Sequence, residues 1–134
     1  WLEQFSFTEN IQTLVERINA GKRIAAEYIQ TTDLSLKNDE QIILFRIVQE
    51  AIQNAVKHAG ATNMRIQVTQ EGQQFNITVS DNGNGFDVNS VAKSMGLTNM
   101  QHRVELLMGT MFINSIPGKG TTIAIQLPLK QNEQ

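Results

Sequence analysis

A chain of 134 residues with a net charge of −2 has room for one domain with a buried core and none for a second of ordinary size. Its basic residues are scattered, which leaves no electrostatic footprint for nucleic acid or an anionic membrane. The lack of cysteine excludes a disulfide framework, a zinc-thiolate site and a thiol nucleophile. Two isolated histidines make a poor transition-metal site, so any metal is expected to be a hard cation arriving with a phosphate. No apolar run approaches membrane-spanning length, and the start Trp1-Leu2-Glu3-Gln4-Phe5 has neither a basic n-region nor an apolar h-region. The expectation is a soluble, cytoplasmic domain. A chain opening on tryptophan is also expected to be an excised piece of a longer protein.

Taken in order, Ser6-Phe7-Thr8-Glu9 reads as a capping box. Ile11, Leu14, Val15 and Ile18 follow at helical spacing until Gly21 stops the helix. Lys22 to Gln30 alternates Ile24, Ala26 and Tyr28 against Arg23, Ala25 and Glu27, which predicts a strand. After a polar connection, Asn38-Asp39-Glu40-Gln41 reads as a second capping box opening a helix to Ala59, ended by Gly60. Its apolar stripe is Leu44, Val48, Ala51, Ile52, Ala55 and Val56.

On a different stripe of that helix, Glu50, Asn54 and His58 lie four apart, with Lys57 beside them. Hard oxygen donors next to cations suit a magnesium triphosphate, although a solvated helix face has the same appearance. Asparagine is a poor helix-interior residue and wants a reason to be there.

Thr62 to Gln70 alternates Met64, Ile66 and Val68 with polar residues. Glu71-Gly72 reverses the chain into a strand, Gln74 to Ser80, with Asp81 at its end. Asp81-Asn82-Gly83-Asn84-Gly85-Phe86 then places a carboxylate before two glycines that permit positive φ and close approach of the backbone to a ligand. The same residues also make an ordinary turn. Asp87 to Met95 has no firm period and reads as a mobile loop. Gly96 and a Thr98 cap precede a helix whose stripe is Met100, Val104, Leu107 and Met108, up to Gly109. A loop with glycines at both ends can open and close over a ligand. Thr110 to Ile116 and Thr121 to Leu129 are two further strands, joined by Pro117-Gly118-Lys119-Gly120, which taken alone is a hairpin turn.

Four groups of residues together resemble a known family: Glu50-x-x-x-Asn54-x-x-Lys57-His58-Ala59, Asp81-x-Gly83-x-Gly85-Phe86, Gly96-Leu97-x-x-Met100-x-x-Arg103 and Gly118-x-Gly120-Thr121. They are similar, in order and spacing, to the N, G1 and later glycine boxes of the GHKL ATPases (gyrase, Hsp90, histidine kinases, MutL). The likeness is greatest to the catalytic ATP-binding domain of sensor histidine kinases of the NarX and DesK type, with a short lid, and it runs from about Phe7 to Leu129.

The resemblance implies an α+β, two-layer sandwich of the Bergerat type, a mixed, mainly antiparallel sheet with helices on one face. This agrees with the element order α, β, α, β, β, α, β, β read above. Residues 1–134 would then be a single catalytic domain. It further implies that Asp81 accepts a hydrogen bond from the adenine amino group, that Gly83, Gly85 and Phe86 shape the turn beside the base, and that Thr121 lies near the adenine. Asn54, with Glu50, would hold magnesium, Glu50 would polarise the attacking group or order the site, and Lys57 and His58 would stand near the phosphates. Gly96, with Leu97 after it, matches the lid hinge. Neither His58 nor His102 matches the phosphoacceptor histidine of a full kinase, so the acceptor is expected on a separate dimerisation domain, with a response regulator downstream. The isolated domain is expected to be a monomer without direct membrane contact, its parent anchored in the membrane. The alternatives are a freestanding serine kinase of the anti-sigma type and a non-catalytic nucleotide-binding module.

Overall fold

A computed structural model describes residues 4–58, 60–87 and 96–129, with His58 described by its backbone alone. Helices α1 (Phe7–Ala20), α2 (Asn38–His58) and α3 (Leu97–Leu106) accompany strands β1 (Ala25–Gln30), β2 (Asn63–Glu71), β3 (Gln74–Asp81), β4 (Thr110–Ile116) and β5 (Gly120–Pro128). The expected α+β sandwich is what forms. The strands make one sheet in the order β1-β2-β3-β5-β4, parallel only between β1 and β2, whose connection is the crossover helix α2.

Strict alternation decides which face the helices cover. Met64, Ile66 and Val68 on β2, Phe75, Ile77 and Val79 on β3, and Ile123, Ile125 and Leu127 on β5 all point to one side and are buried. They join Phe7, Ile11 and Val15 of α1, Leu44, Val48, Ala51, Ile52 and Ala55 of α2, and Met100 and Val104 of α3 in a single cluster. Ile47, which the sequence reading of α2 left out, is fully buried there too. The opposite face carries Arg65, Gln67, Thr69, Asn76, Thr78, Ser80 and Gln126 and remains at least partly exposed. Among the described residues no helix is long and apolar enough to cross a membrane.

Helix ends depart from expectation in instructive ways. Ser6 caps α1 as predicted, its hydroxyl accepting the Glu9 N–H at 3.1 Å. At α2 the cap is Lys37 rather than Asn38: Glu40 Oε1 reaches back to the Lys37 N–H at 2.9 Å, while Gln41 N–H bonds the Lys37 carbonyl. Asn38 is drawn away because its side-chain oxygen accepts the Phe5 N–H, tucking the N-terminal segment against α2, where the Phe5 and Phe45 rings meet edge to face at 5.5 Å. Gly96, not Thr98, is the N-cap of α3, with φ +68°.

Two helices also end with the left-handed residue beside the glycine instead of on it. Gly21 stays right-handed at φ −73°, and Lys22 takes φ +61°, so β1 begins at Ala25 and not at Lys22. At the end of α3, Met108 takes φ +60° and is 81% exposed, outside the buried stripe expected of it. The reason is packing. A Cβ on Gly109 would lie 2.6 Å from Leu127 Cδ2 and 2.7 Å from the Gln126 carbonyl oxygen, so this glycine serves the contact with β5 and the left-handed turn falls to its neighbour. The predicted helix end at Ala59 and all but the first residue of the predicted loop from Asp87 to Met95 lie outside the described residues.

Candidate functional site

Three adjacent strands interrupt their core-facing apolar sets at the same end of the sheet. On β3 the series Phe75, Ile77, Val79 is followed by Asp81; on β5 Leu127, Ile125, Ile123 gives way to Thr121; on β4 Met111, Ile113 gives way to Ser115. Register sets them opposite one another, Asp81 against Thr121 and Thr121 against Ser115. Side chains facing each other across antiparallel strands are about 5 Å apart at Cβ, so the three form one polar row on the helix-side face where the core stops.

The row is tightly hydrogen-bonded. Asp81 Oδ1 accepts the Gly83 N–H at 2.8 Å, and the Thr121 N–H also bonds this carboxylate. Half-burial pushes the Asp81 pKa up from 3.8, and the two N–H donors oppose that rise. Thr121 is 8% exposed, and its hydroxyl lies 2.7 Å from Ser115 Oγ. Ser115 Oγ in turn accepts the Phe86 N–H at 2.8 Å.

The two glycine turns at this end are packed backbone against backbone. Gly85 has φ +66°, and a Cβ there would fall 2.2 Å from the Ile116 carbonyl oxygen; Gly120 has φ +93°, and its Cβ would fall 2.2 Å from the Asp81 carbonyl oxygen. The Gly118 N–H donates to the Asn84 carbonyl across the same seam. The sequence predicts close approach of the backbone to a ligand at Gly83 and Gly85, and a hairpin turn at Pro117-Gly118-Lys119-Gly120. At Gly85 and Gly120 the space is taken by the other turn, and the Pro117-Gly118-Lys119-Gly120 hairpin is half of one joint structure.

Asn82 fastens this structure to the exit of α2. Its Oδ1 accepts the N–H groups of Thr62 and Asn63, each at 2.9 Å, and its Nδ2 donates to Thr62 Oγ1 at 2.9 Å. The helix bearing Glu50 and Asn54 is thereby tied to the turn bearing Asp81. Glu50 and Gly96 also meet: a Cβ on Gly96 would lie 2.2 Å from Glu50 Oε1, so the carboxylate rests directly on the start of α3.

The remaining predicted residues are distributed as follows. Asn54 is half-buried, Lys57 is exposed, and the His58 side chain lies outside the description. Gly83 is buried, and Phe86 is half-buried against the core. Leu97 is 3% exposed and packs in the core at the start of α3. Asn82 and Ser115 were not singled out in the sequence. Asn82 acts on residues about twenty positions away and locally resembles any turn asparagine. Ser115 could have been found from the alternation of β4, as the polar residue where Met111 and Ile113 predict an apolar one.

Among the described residues no three His, Cys, Asp or Glu side chains gather as a metal site. Glu50 and Asn54 offer a carboxylate and an amide oxygen one helical turn apart, which is part of a hard cation's shell. This donor set fits magnesium only if phosphate oxygens and water complete it.

A profile of the family described as histidine kinase-, DNA gyrase B- and HSP90-like ATPase matches residues 39–131. The chain is 39% identical over 119 residues to the signal transduction histidine-protein kinase/phosphatase DegS of Bacillus subtilis (strain 168), covering 85% of this chain and 31% of that protein. It is 33% identical over 135 residues to the sensor histidine kinase LiaS of the same organism, covering 99% and 37%. The chain thus spans about a third of the length of these curated relatives. Among solved structures, the histidine kinase domain of the Erythrobacter litoralis blue-light activated histidine kinase matches with a TM-score of 0.76 at 20% identity, over 90% of this chain and 58% of that one, a likeness of fold.

Proposed function

The chain belongs to the histidine kinase-, DNA gyrase B- and HSP90-like ATPases, and from that membership we propose that it binds magnesium ATP at the Asp81 end of the sheet and passes the γ-phosphoryl group to a histidine on a separate dimerisation domain. The observation that carries this reading is the polar row: a half-buried carboxylate, pinned by the Gly83 and Thr121 N–H groups, at the point where the apolar sheet face ends. A fixed, partly desolvated acceptor beside an apolar floor suits a flat heterocycle that presents an amine at its edge.

In this reading Asp81 accepts the adenine amino hydrogen, Thr121 lies beside the base, and Gly83, Gly85 and Phe86 shape the wall next to it. Asn54 and Glu50 would hold magnesium, which would neutralise charge on the triphosphate, while Lys57 and His58 would stand near the phosphates. Glu50 orders the attacking imidazole, and its contact with Gly96 lets the hinge at the start of α3 and Leu97 position the carboxylate. Phosphoryl transfer asks little covalent chemistry of the protein, so the work is alignment and charge stabilisation. The full protein would be a two-component sensor kinase of the NarX/DesK type, its catalytic domain cytoplasmic and the parent anchored in the membrane, serving a response regulator.

Calorimetry with ATP and GTP tests the base assignment. GTP presents a carbonyl where ATP presents an amine, so it should bind at least about 30-fold more weakly, the consequence of setting an acceptor against a half-buried carboxylate. Equal affinities would refute the role given to Asp81.

A further inference from the structure

We propose that Ser115, on the edge strand β4, is a positioning residue for the nucleotide site that acts through Thr121; this rests on the ATP-binding reading above. A serine hydroxyl has one hydrogen to give and two lone pairs to offer. The Phe86 N–H takes one lone pair at 2.8 Å. The Gly120 carbonyl oxygen is 3.5 Å away, at the limit of hydrogen bonding, whereas Thr121 Oγ1 is at 2.7 Å. The Ser115 hydroxyl is therefore committed to Thr121, and the two share one hydrogen bond.

That commitment fixes how Thr121 presents itself. With Thr121 only 8% exposed, its hydroxyl has few alternatives to the bond with Ser115, and the partner's position selects its rotamer. Thr121 faces Asp81 across the β3–β5 pair, and its N–H holds the carboxylate. Ser115 also grips the turn that begins at Asp81, through the Phe86 N–H at its far end. One side chain thus holds both the threonine beside the base and the last residue of the glycine turn. An edge-strand serine that merely satisfied a stray N–H would not need its second bond aimed at a buried hydroxyl of the site.

A double-mutant cycle on ATP binding, read by calorimetry alongside the thermal melts of the ligand-free variants, separates a positioning role from a purely structural one. Ser115→Ala should weaken ATP binding by about three- to tenfold, the scale of one net hydrogen bond. Thr121→Val should do likewise. The double variant should bind scarcely more weakly than the worse single one, and Ser115→Thr, which keeps the hydroxyl, should return to within about twofold of the unmodified chain. Unchanged ATP affinity in Ser115→Ala, even with a lowered melting temperature, would overturn the proposal, as would losses that multiply in the double variant. If the unmodified chain itself bound no ATP, the underlying functional reading would fail first, and this assignment with it.

Discussion

The two ends of the sheet use glycine for different reasons. At the β2–β3 hairpin, Gly72 has φ +59°, and a Cβ placed on it would meet nothing within 4 Å. At the opposite end, Gly85 and Gly120 also have positive φ, but a Cβ on either would strike backbone oxygen at 2.2 Å. Gly118, in the same turn as Gly120 with φ +84°, again faces open space. A positive φ is therefore no mark of the site, and neither is membership of the site-end turn. What distinguishes Gly85 and Gly120 is that two backbones occupy the space a side chain would need. The Asp81 turn and the β4–β5 hairpin pack as one joint structure, and the Asp81 carboxylate sits in it, held by the Gly83 N–H.

Substitutions can break that comparison. Gly85→Ala should be the most damaging: the forced collision with the Ile116 carbonyl adds to left-handed strain, at a combined cost of about 2 to 5 kcal/mol of stability. Nucleotide binding should fall with it. Denaturant unfolding of this variant beside the unmodified chain is the check, and a loss under about 1 kcal/mol would show that the two turns can part.

Asp81→Asn should leave the joint structure intact and remove only the acceptor charge, costing about 2 to 3 kcal/mol of ATP binding free energy by calorimetry. Its effect on stability has the opposite sign. Burial raises the folded pKa of Asp81 above 3.8, so the folded chain holds that proton more tightly than the unfolded one. The contribution of Asp81 to stability is thus fully present below 3.8 and is lost as the pH rises through the raised folded value. At neutral pH the asparagine variant should be no less stable than the unmodified chain, and its advantage should shrink as the pH falls through that window. Unfolding free energies measured across an acid series test this. An asparagine variant that lost stability at neutral pH would mean that the Gly83 and Thr121 N–H bonds outweigh the cost of burial.

The smallest effect belongs to the other end. Gly72→Asn should cost less than about 1 kcal/mol, because asparagine tolerates left-handed backbone and nothing crowds the position. A cost comparable with that of Gly85→Ala would erase the distinction between the two ends.

The strands and their buried faces were legible because period-two alternation is strict from Met64 to Val68, from Phe75 to Val79 and from Thr121 to Leu127, and the sheet buries those apolar positions. The spacing of Glu50, Asn54, Asp81 and the glycines carried the family likeness, which the match over residues 39–131 supports. What stayed hidden depends on contacts between distant segments. Asn82 reads locally as a turn residue, and its four-atom grip on Thr62 and Asn63 exists only once β2 and β3 pair. The α2 cap moved to Lys37 because Phe5 claimed Asn38, a choice made by tertiary packing across more than thirty residues. At the ends of α1 and α3, Gly21 and Gly109 marked the right place, but the left-handed conformation fell to Lys22 and Met108.

The central claim is phosphoryl transfer from this site to a histidine elsewhere, and the most direct measurement is labelling in trans. Incubated alone with γ-labelled ATP and magnesium, the chain should not label itself; with the histidine-bearing dimerisation segment of its parent supplied as a separate polypeptide, that segment should become labelled. The transfer should be slow for want of a tether. The label should be acid-labile and base-stable, and Glu50→Gln should slow its formation more than it weakens ATP binding. An acid-stable label on serine, or ATP binding with no transfer to the supplied segment, would contradict the account.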